Sequence, residues 1–193
     1  GVLMTGMNIM SDAVSVLKHI PEFGEILVMF ENPFLGVLAG TVLTAIVQSS
    51  SASVGILQAL SSTGAISIGM SIPIIMGQNI GTCITAVLSS VGATKNAKRT
   101  AMVHLLFNVI GTTVWLTVFV IIKAVLSPVI LLDNADRVNI AVIHSVFNVL
   151  CTLLLLPMGS LLEKLVIKLV PDSKTPETFA ELDERLLEVP AVA

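Results

Sequence analysis

From Asn32 to Thr94 the chain contains no Asp, Glu, Lys, Arg or His. Two further apolar windows follow: Thr100 to Ile122 holds only His104, and Val138 to Leu162 holds only His144. Each window exceeds the roughly 20 apolar residues that a helix needs to cross a bilayer. A secretory signal does not account for them, because such segments are short and N-terminal. The pattern predicts an all-α integral membrane protein.

The first window is interrupted. Phe34 to Val47 is apolar and helix-compatible, but its rise of about 21 Å falls short of the roughly 30 Å hydrocarbon core. It stops at Gln48-Ser49-Ser50-Ser51, which predicts a re-entrant half-helix. The apolar run resumes from Val54 to Leu60, and Ser61-Ser62-Thr63-Gly64 is a turn signal. Ser67 to Gly77 contains Pro73, and Gln78-Asn79 forms a second polar interruption before Ile80 to Val91. Residues 32–94 are therefore expected to be broken helices and hairpins. Upstream, residues 1–31 read as a truncated helix, Val2 to Leu17 with Asn8, Ser11 and Asp12, and then an interfacial segment containing Pro21. Starting at Gly1 inside an apolar segment, the chain looks processed or cut from something longer.

Charge sets an orientation. Lys95, Lys98 and Arg99 form a basic loop without an acid, which the positive-inside tendency assigns to the cytoplasm. Thr100 to Ser127 then crosses outward, and the short loop to Arg137 carries Asp133 and Asp136. Val138 to Leu162 returns, so residues 95–170 are two transmembrane helices joined by a short outer loop. Residues 171–193, with six acids against Lys174 and Arg185 and with Pro171, Pro176 and Pro190, read as an acidic cytoplasmic linker.

Composition narrows the function. Charged residues make up 12% of the chain and mean hydropathy is +0.96, against about 25% charged in soluble domains. Net charge is −3 with no basic stripe, so nucleic acid is not an expected partner. Cys83 and Cys151 lie in apolar runs and read as small buried residues, not a disulfide framework. Trp115 and seven Phe are too few for a stacking platform. The serines have no His in their window, so nothing supports a hydrolase, and an enzyme is not expected.

Two patterns recur about 40 residues apart. Gly36-xxx-Gly40-Thr41-xx-Thr44-Ala45 is echoed by Gly77-xxx-Gly81-Thr82-xx-Thr85-Ala86. His104-xx-Phe107-Asn108-Val109-xx-Thr112 is echoed by His144-xx-Phe147-Asn148-Val149-xx-Thr152. Glycines four apart let helix backbones approach closely, and flanking threonines bond to carbonyls.

A hydroxyl or amide in hydrocarbon costs free energy unless it is bonded. Consecutive side chains on a helix point about 100° apart, so Gln48 to Ser51 cannot all bond back along one helix. Helix breaks in transporters expose N-terminal N–H groups that attract anions, while unwound carbonyls suit Na⁺. With no Arg or Lys in the window, an anion bound there would rest on dipoles, hydroxyls and co-bound cations. The plainer alternative is that the serines satisfy one another at a helix contact.

The run Thr44-Ala45-Ile46-Val47-Gln48-Ser49-Ser50-Ser51, followed by Gly77-Gln78-Asn79-Ile80-Gly81-Thr82, resembles the type II sodium/phosphate cotransporter family, particularly its bacterial members. Asn96-Ala97-Lys98-Arg99 leading to His104 and Asn108, and the block from His144 to Asn148, fit the same family. The resemblance covers about residues 32–170. It implies one of two inverted repeats, the second, whose motif copies together build a phosphate and sodium site near the bilayer midplane. The tail from Leu182 to Leu187 resembles the lead into a phosphate-uptake-regulator-like cytoplasmic domain. By motif, Gln48, Ser49, Ser50 and Ser51 would bind phosphate, and Asn79, Thr82 and Thr85 would serve Na⁺ or hairpin packing. Three departures stand out: Gln78 replaces a usual small residue, Cys83 a common Thr, and Val54-Gly55 the Thr-Ser pair of animal members.

The implied activity is sodium-coupled transport of inorganic phosphate. Its partners would be phosphate, Na⁺ as coupling ion without further cofactor, the lipid bilayer, and a second repeat half, either missing sequence or another copy of this chain. Alternatives are a phosphate-sensing module that anchors a cytoplasmic regulatory domain, and a transporter of another small oxyanion. His104 with Asn108, and His144 with Asn148, each share a helix face and are candidates for a gate or relay. Neutral imidazoles bonded across helices are the preferred explanation of these pairs. No other metal site is expected, because neither His has a carboxylate or thiolate at ligand spacing.

Overall fold

The structure, a computed structural model, describes residues 1–15 and 28–171. Much of the expected interfacial segment and nearly all of the acidic linker lie outside these residues. Among the described residues the elements are helical: α1 (Val2–Ser15), α2 (Pro33–Val47), α3 (Ser50–Ser61), α4 (Ile68–Ser89), α5 (Lys95–Leu126), α6 (Arg137–Leu155) and α7 (Gly159–Leu169). Three-residue and four-residue 3₁₀ turns, at Leu156–Met158 and Val129–Leu132, complete them. Three helical stretches are long and apolar enough to span a membrane: α4, α5, and α6 continued through α7. This is a membrane protein.

Helix ends follow local chemistry. Asn32 caps α2 by accepting the Phe34 N–H at 3.0 Å, and Pro33 occupies the first turn, where a missing N–H costs nothing. Ser67, Thr94 and Asp136 accept N–H groups from Met70, Ala97 and Asn139 at the starts of α4, α5 and α6. Pro157 ends α6 in the 3₁₀ turn before α7.

α4 is the central helix. Its face toward α3 and α6 packs Met70, Ile74 and Ile75 against Leu57 and Ile140. Its opposite side packs Met76 against Leu116 and Phe119 of α5 and Phe147 and Cys151 of α6. Lipid tails are as apolar as these side chains, so dispersion and interhelical hydrogen bonds hold the bundle rather than expulsion from water.

The expected break at Gln78-Asn79 does not form, and α4 runs unbroken from Ile68 to Ser89. Both residues are absorbed without unwinding. Asn79 Nδ2 donates to the Ile75 carbonyl four residues back at 3.0 Å, and Gln78 donates across to α3. Pro73 sits early in α4, six residues after its cap, where it ends nothing.

α2 and α4 lie side by side and run in the same direction. A Cβ at Gly36 would meet Pro73 at 3.0 Å, and one at Gly40 would strike the Ile74 carbonyl oxygen. One at Gly77 would strike the Val37 carbonyl, and one at Gly81 would meet the Thr41 oxygen at 2.5 Å. The two echoed glycine motifs therefore pack against each other. Thr41 Oγ1 strengthens the seam by donating to the Val37 carbonyl at 2.8 Å or the Gly77 carbonyl at 3.1 Å. The second echo forms an analogous pair: Gly111 of α5 faces Cys151 of α6, whose Sγ would lie 2.6 Å from a Cβ at Gly111.

At one end of the bundle, Ile68 N–H donates to Asp133 and Ala135 N–H to Ile66, both at 2.9 Å. Gln58 Nε2 donates to the Arg137 carbonyl at 3.1 Å. At the other end, Arg99 grips the Val170 carbonyl through Nε and Nη2 at 3.1 and 3.0 Å, which joins the starts of α5 and the end of α7. Lys95, Lys98, Arg99 and Lys168 thus gather at a single end.

Candidate functional site

The helical break falls between α2 and α3. α2 ends at Val47, and Gln48 takes a left-handed conformation, φ 55° and ψ 22°, as its C-cap. Its N–H donates to the Thr44 carbonyl at 2.7 Å. Ser49 is extended and caps α3, its hydroxyl accepting the Ala52 N–H at 3.3 Å. The serine triplet is therefore not an unwound segment: Ser49 is the cap, and Ser50 and Ser51 form the first turn of α3. The helix therefore starts four residues before Val54, where the apolar run resumes.

Two helix ends meet at this tip. First-turn N–H groups of a helix have no intrahelical acceptor. With Ala52 capped, the N–H groups of Ser50 and Ser51 are the ones left, at the positive end of the α3 dipole. The last carbonyls of α2 supply the negative end beside them. Gln48 and Ser51 are exposed, and Ser49 and Ser50 are half-buried. The tip is not sealed in a seam within this chain.

The register of the glycine contacts sets Gln48 level with Thr85. That places the tip about 26 Å along α4 from Ile68 and only about 6 Å from Ser89, toward the basic end. α2 and α3, of 15 and 12 residues, are each too short to span the roughly 30 Å hydrocarbon core. Together they form a re-entrant hairpin that opens at the end carrying Asp133 and Arg137.

The other candidates divide between faces of α4. At 100° per residue, Thr85 lies about 40° from Gly81 on the face toward α2, whereas Thr82 lies about 40° from Gln78, on the side of α3. Their hydroxyls donate back along the helix, Thr82 to the Gln78 carbonyl at 2.8 Å and Thr85 to the Thr82 carbonyl at 3.0 Å. Asn79 falls about 160° from Gly81, on the side of Cys83, which touches the His104 carbonyl of α5. Asn79 is not brought to the tip.

The His–Asn pairs are not brought there either. Asn108 is buried and donates to the His104 backbone carbonyl at 3.0 Å and to Cys83 Sγ at 3.3 Å. Asn148 donates to the His144 carbonyl at 2.7 Å. The partner is the backbone carbonyl in both pairs, not the imidazole. His104 is exposed and His144 half-buried.

Behind the tip lies a buried polar cluster that no local sequence pattern marks. Thr44 of α2 and Ser53 of α3 share a 2.7 Å hydroxyl hydrogen bond, and Gln78 Nε2 of α4 donates to the Ser53 carbonyl at 3.0 Å. All three residues are buried, with Gln78 1% exposed. The available signal was positional: Thr44 and Ser53 stand four residues to either side of the Gln48-Ser49 pair.

Comparison with known proteins bears on this geometry. The profile of a family described as Na⁺/Pi-cotransporter matches residues 2–159. The uncharacterised protein YqeW of Bacillus subtilis is 38% identical over 144 residues, 73% of this chain and 45% of that protein. Human sodium-dependent phosphate transport protein 2B is 36% identical over 124 residues, covering 60% of this chain and 17% of that protein. Rat sodium-dependent phosphate transport protein 2A is 37% identical over 100 residues, 49% of this chain and 15% of that protein. The chain thus spans less than half the length of these curated relatives. No solved structure matches it.

Proposed function

The chain belongs to the Na⁺/Pi-cotransporter family, and from that premise we propose that it supplies one half of a membrane site at which inorganic phosphate is moved together with Na⁺. The observation that carries this reading is the exposed tip, where the uncharged donors of Gln48, Ser50 and Ser51 meet the free N–H groups opening α3. Helix N-termini are ready anion sites. No cationic side chain lies in the uncharged window, so a bound phosphate keeps its charge unless a cation comes with it. The α2 carbonyls ending beside the tip, Thr85 level with them and Thr82 on the α3 side of α4 supply neutral oxygens of the kind Na⁺ takes. Coupling follows from that electrostatics: each ion lowers the cost of bringing the other into the site.

The motif occurs once in this chain, so the remaining donors come from a second half, in adjoining sequence or in another copy. The exposed stripe Phe34, Leu38, Val42 and Ile46 of α2 runs straight to the tip and offers an apolar surface for that half. By the positive-inside tendency the end carrying Lys95, Lys98 and Lys168 faces the cytoplasm, as does the tail. The hairpin then enters from outside, with its tip toward the cytoplasmic face.

The test uses the full-length protein in liposomes with an inward Na⁺ gradient. Labelled phosphate should accumulate, and should stop when choline replaces Na⁺. Phosphate binding without accumulation supports a sensing module instead, and stronger competition by sulfate than by unlabelled phosphate assigns a different oxyanion.

A further inference from the structure

We propose that Gln78 is a positioning residue for the phosphate-binding tip, gripping α3 one turn below its N-terminus and so fixing where the Ser50 and Ser51 groups point. This rests on the functional reading above and extends it to a side chain outside the serine motif.

Three observations support it. First, Gln78 ties the hairpin to α4. α2 and α3 run antiparallel from the Gln48-Ser49 turn, and the Thr44–Ser53 hydroxyl bond is their buried polar tie. Gln78 brings α4 into that tie by donating to the Ser53 carbonyl. Three helices therefore meet at Ser53, which is one turn from the cap Ser49, whose carbonyl accepts the Ser53 N–H at 2.9 Å.

Second, α4 is rigid where Gln78 leaves it. Gly77 on one side is in backbone contact with Val37 and Thr41, and the Gln78 nitrogen lies 3.0 Å from where a Gly40 Cβ would stand. An anchor on a close-packed backbone transmits position, whereas one on a loose helix does not.

Third, the side chain carries a cost that packing does not explain. Gln78 Oε1 is buried with no hydrogen-bond partner, and an unsatisfied buried amide oxygen is destabilising. An apolar residue of similar length would fill the space without that cost. The Nε2 grip on Ser53 is what an apolar replacement gives up, and it acts on the arm that carries the site.

The discriminating variant is Gln78→Met in the full-length protein, which keeps the volume and removes both the grip and the orphan oxygen. It should fold with unchanged or raised thermal stability. Its apparent KM for phosphate should rise about five- to tenfold, the scale of one lost hydrogen bond, with a smaller change in maximum rate. Gln78→Glu can donate to the Ser53 carbonyl only as the neutral acid, so its phosphate KM should fall toward wild type as pH is lowered. A structural filler would give neither the KM split nor the pH dependence. An arm independent of transport is hydrogen exchange: the bonded backbone amides of Ala52 and Ser53 should exchange about five- to tenfold faster in Gln78→Met, without a matching change in α5. Unchanged exchange there, or an unchanged phosphate KM in Gln78→Met, overturns the inference. If the wild-type protein shows no Na⁺-dependent uptake, the functional reading fails, and the exchange result still decides whether Gln78 holds the tip.

Discussion

Replacing Gly40 with Ala puts a methyl group into the closest approach of α2 and α4. The new Cβ runs into the Ile74 carbonyl oxygen and lies 2.9 Å from the Ile74 carbonyl carbon and 3.0 Å from the Gln78 nitrogen. All three are backbone atoms, so no rotamer change relieves the clash. The helices must separate by about 1 Å to recover van der Waals distance. Overpacking of this kind costs about 1–3 kcal/mol, and the backbone partners put Gly40→Ala at the upper end. Alanine's better helix propensity returns about 1 kcal/mol. The net expectation is a loss of about 2 kcal/mol, measured by reversible unfolding of the full-length protein in mixed detergent. Gly159→Ala is the control, because nothing lies within 4 Å of a Cβ there and its φ of −53° suits any residue. That variant should be neutral or slightly more stable. If Gly40→Ala is as stable as Gly159→Ala, the backbone-to-backbone seam described here is wrong.

Gln48→Gly removes a left-handed backbone cost, so it should raise stability by up to about 1 kcal/mol while weakening phosphate uptake; equal loss of both would make Gln48 structural. Arg99→Ala deletes the two-pronged hold on the Val170 carbonyl and should speed hydrogen exchange along α7, with the α2–α3 hairpin unaffected. His144→Gln tests the relay candidate directly: an altered pH dependence of uptake supports a relay, and an unchanged profile removes His144 from the mechanism.

Much of the architecture was legible because hydrocarbon forbids exposed charge. The windows free of Asp, Glu, Lys and Arg marked the spans, and the shortness of Phe34 to Val47 marked the hairpin. The glycine echo pointed to close packing, though not to its partner being its own echo. Gln78-Asn79 misled, since a polar pair inside an apolar run resembles the pair that does end α2. The difference lies in where the donors go. Asn79 bonds back along its own helix and Gln78 bonds to Ser53, a partner 25 residues away that no local pattern identifies. The Thr44–Ser53–Gln78 cluster was hidden for the same reason: its members are ordinary until the hairpin folds. Asn79 and Thr85 looked equivalent in sequence, and only the helical phase relative to Gly81 separates them.

The measurement that bears most directly on a neutral, cation-dependent phosphate site is phosphate affinity of the full-length protein with and without Na⁺, in the wild type and in Ser50→Ala/Ser51→Ala. Wild-type affinity should rise with Na⁺, and the double variant should lose at least tenfold in affinity together with most of that Na⁺ dependence. Phosphate binding that is indifferent to Na⁺, or equally tight without the two hydroxyls, would contradict the site proposed at the α2–α3 tip.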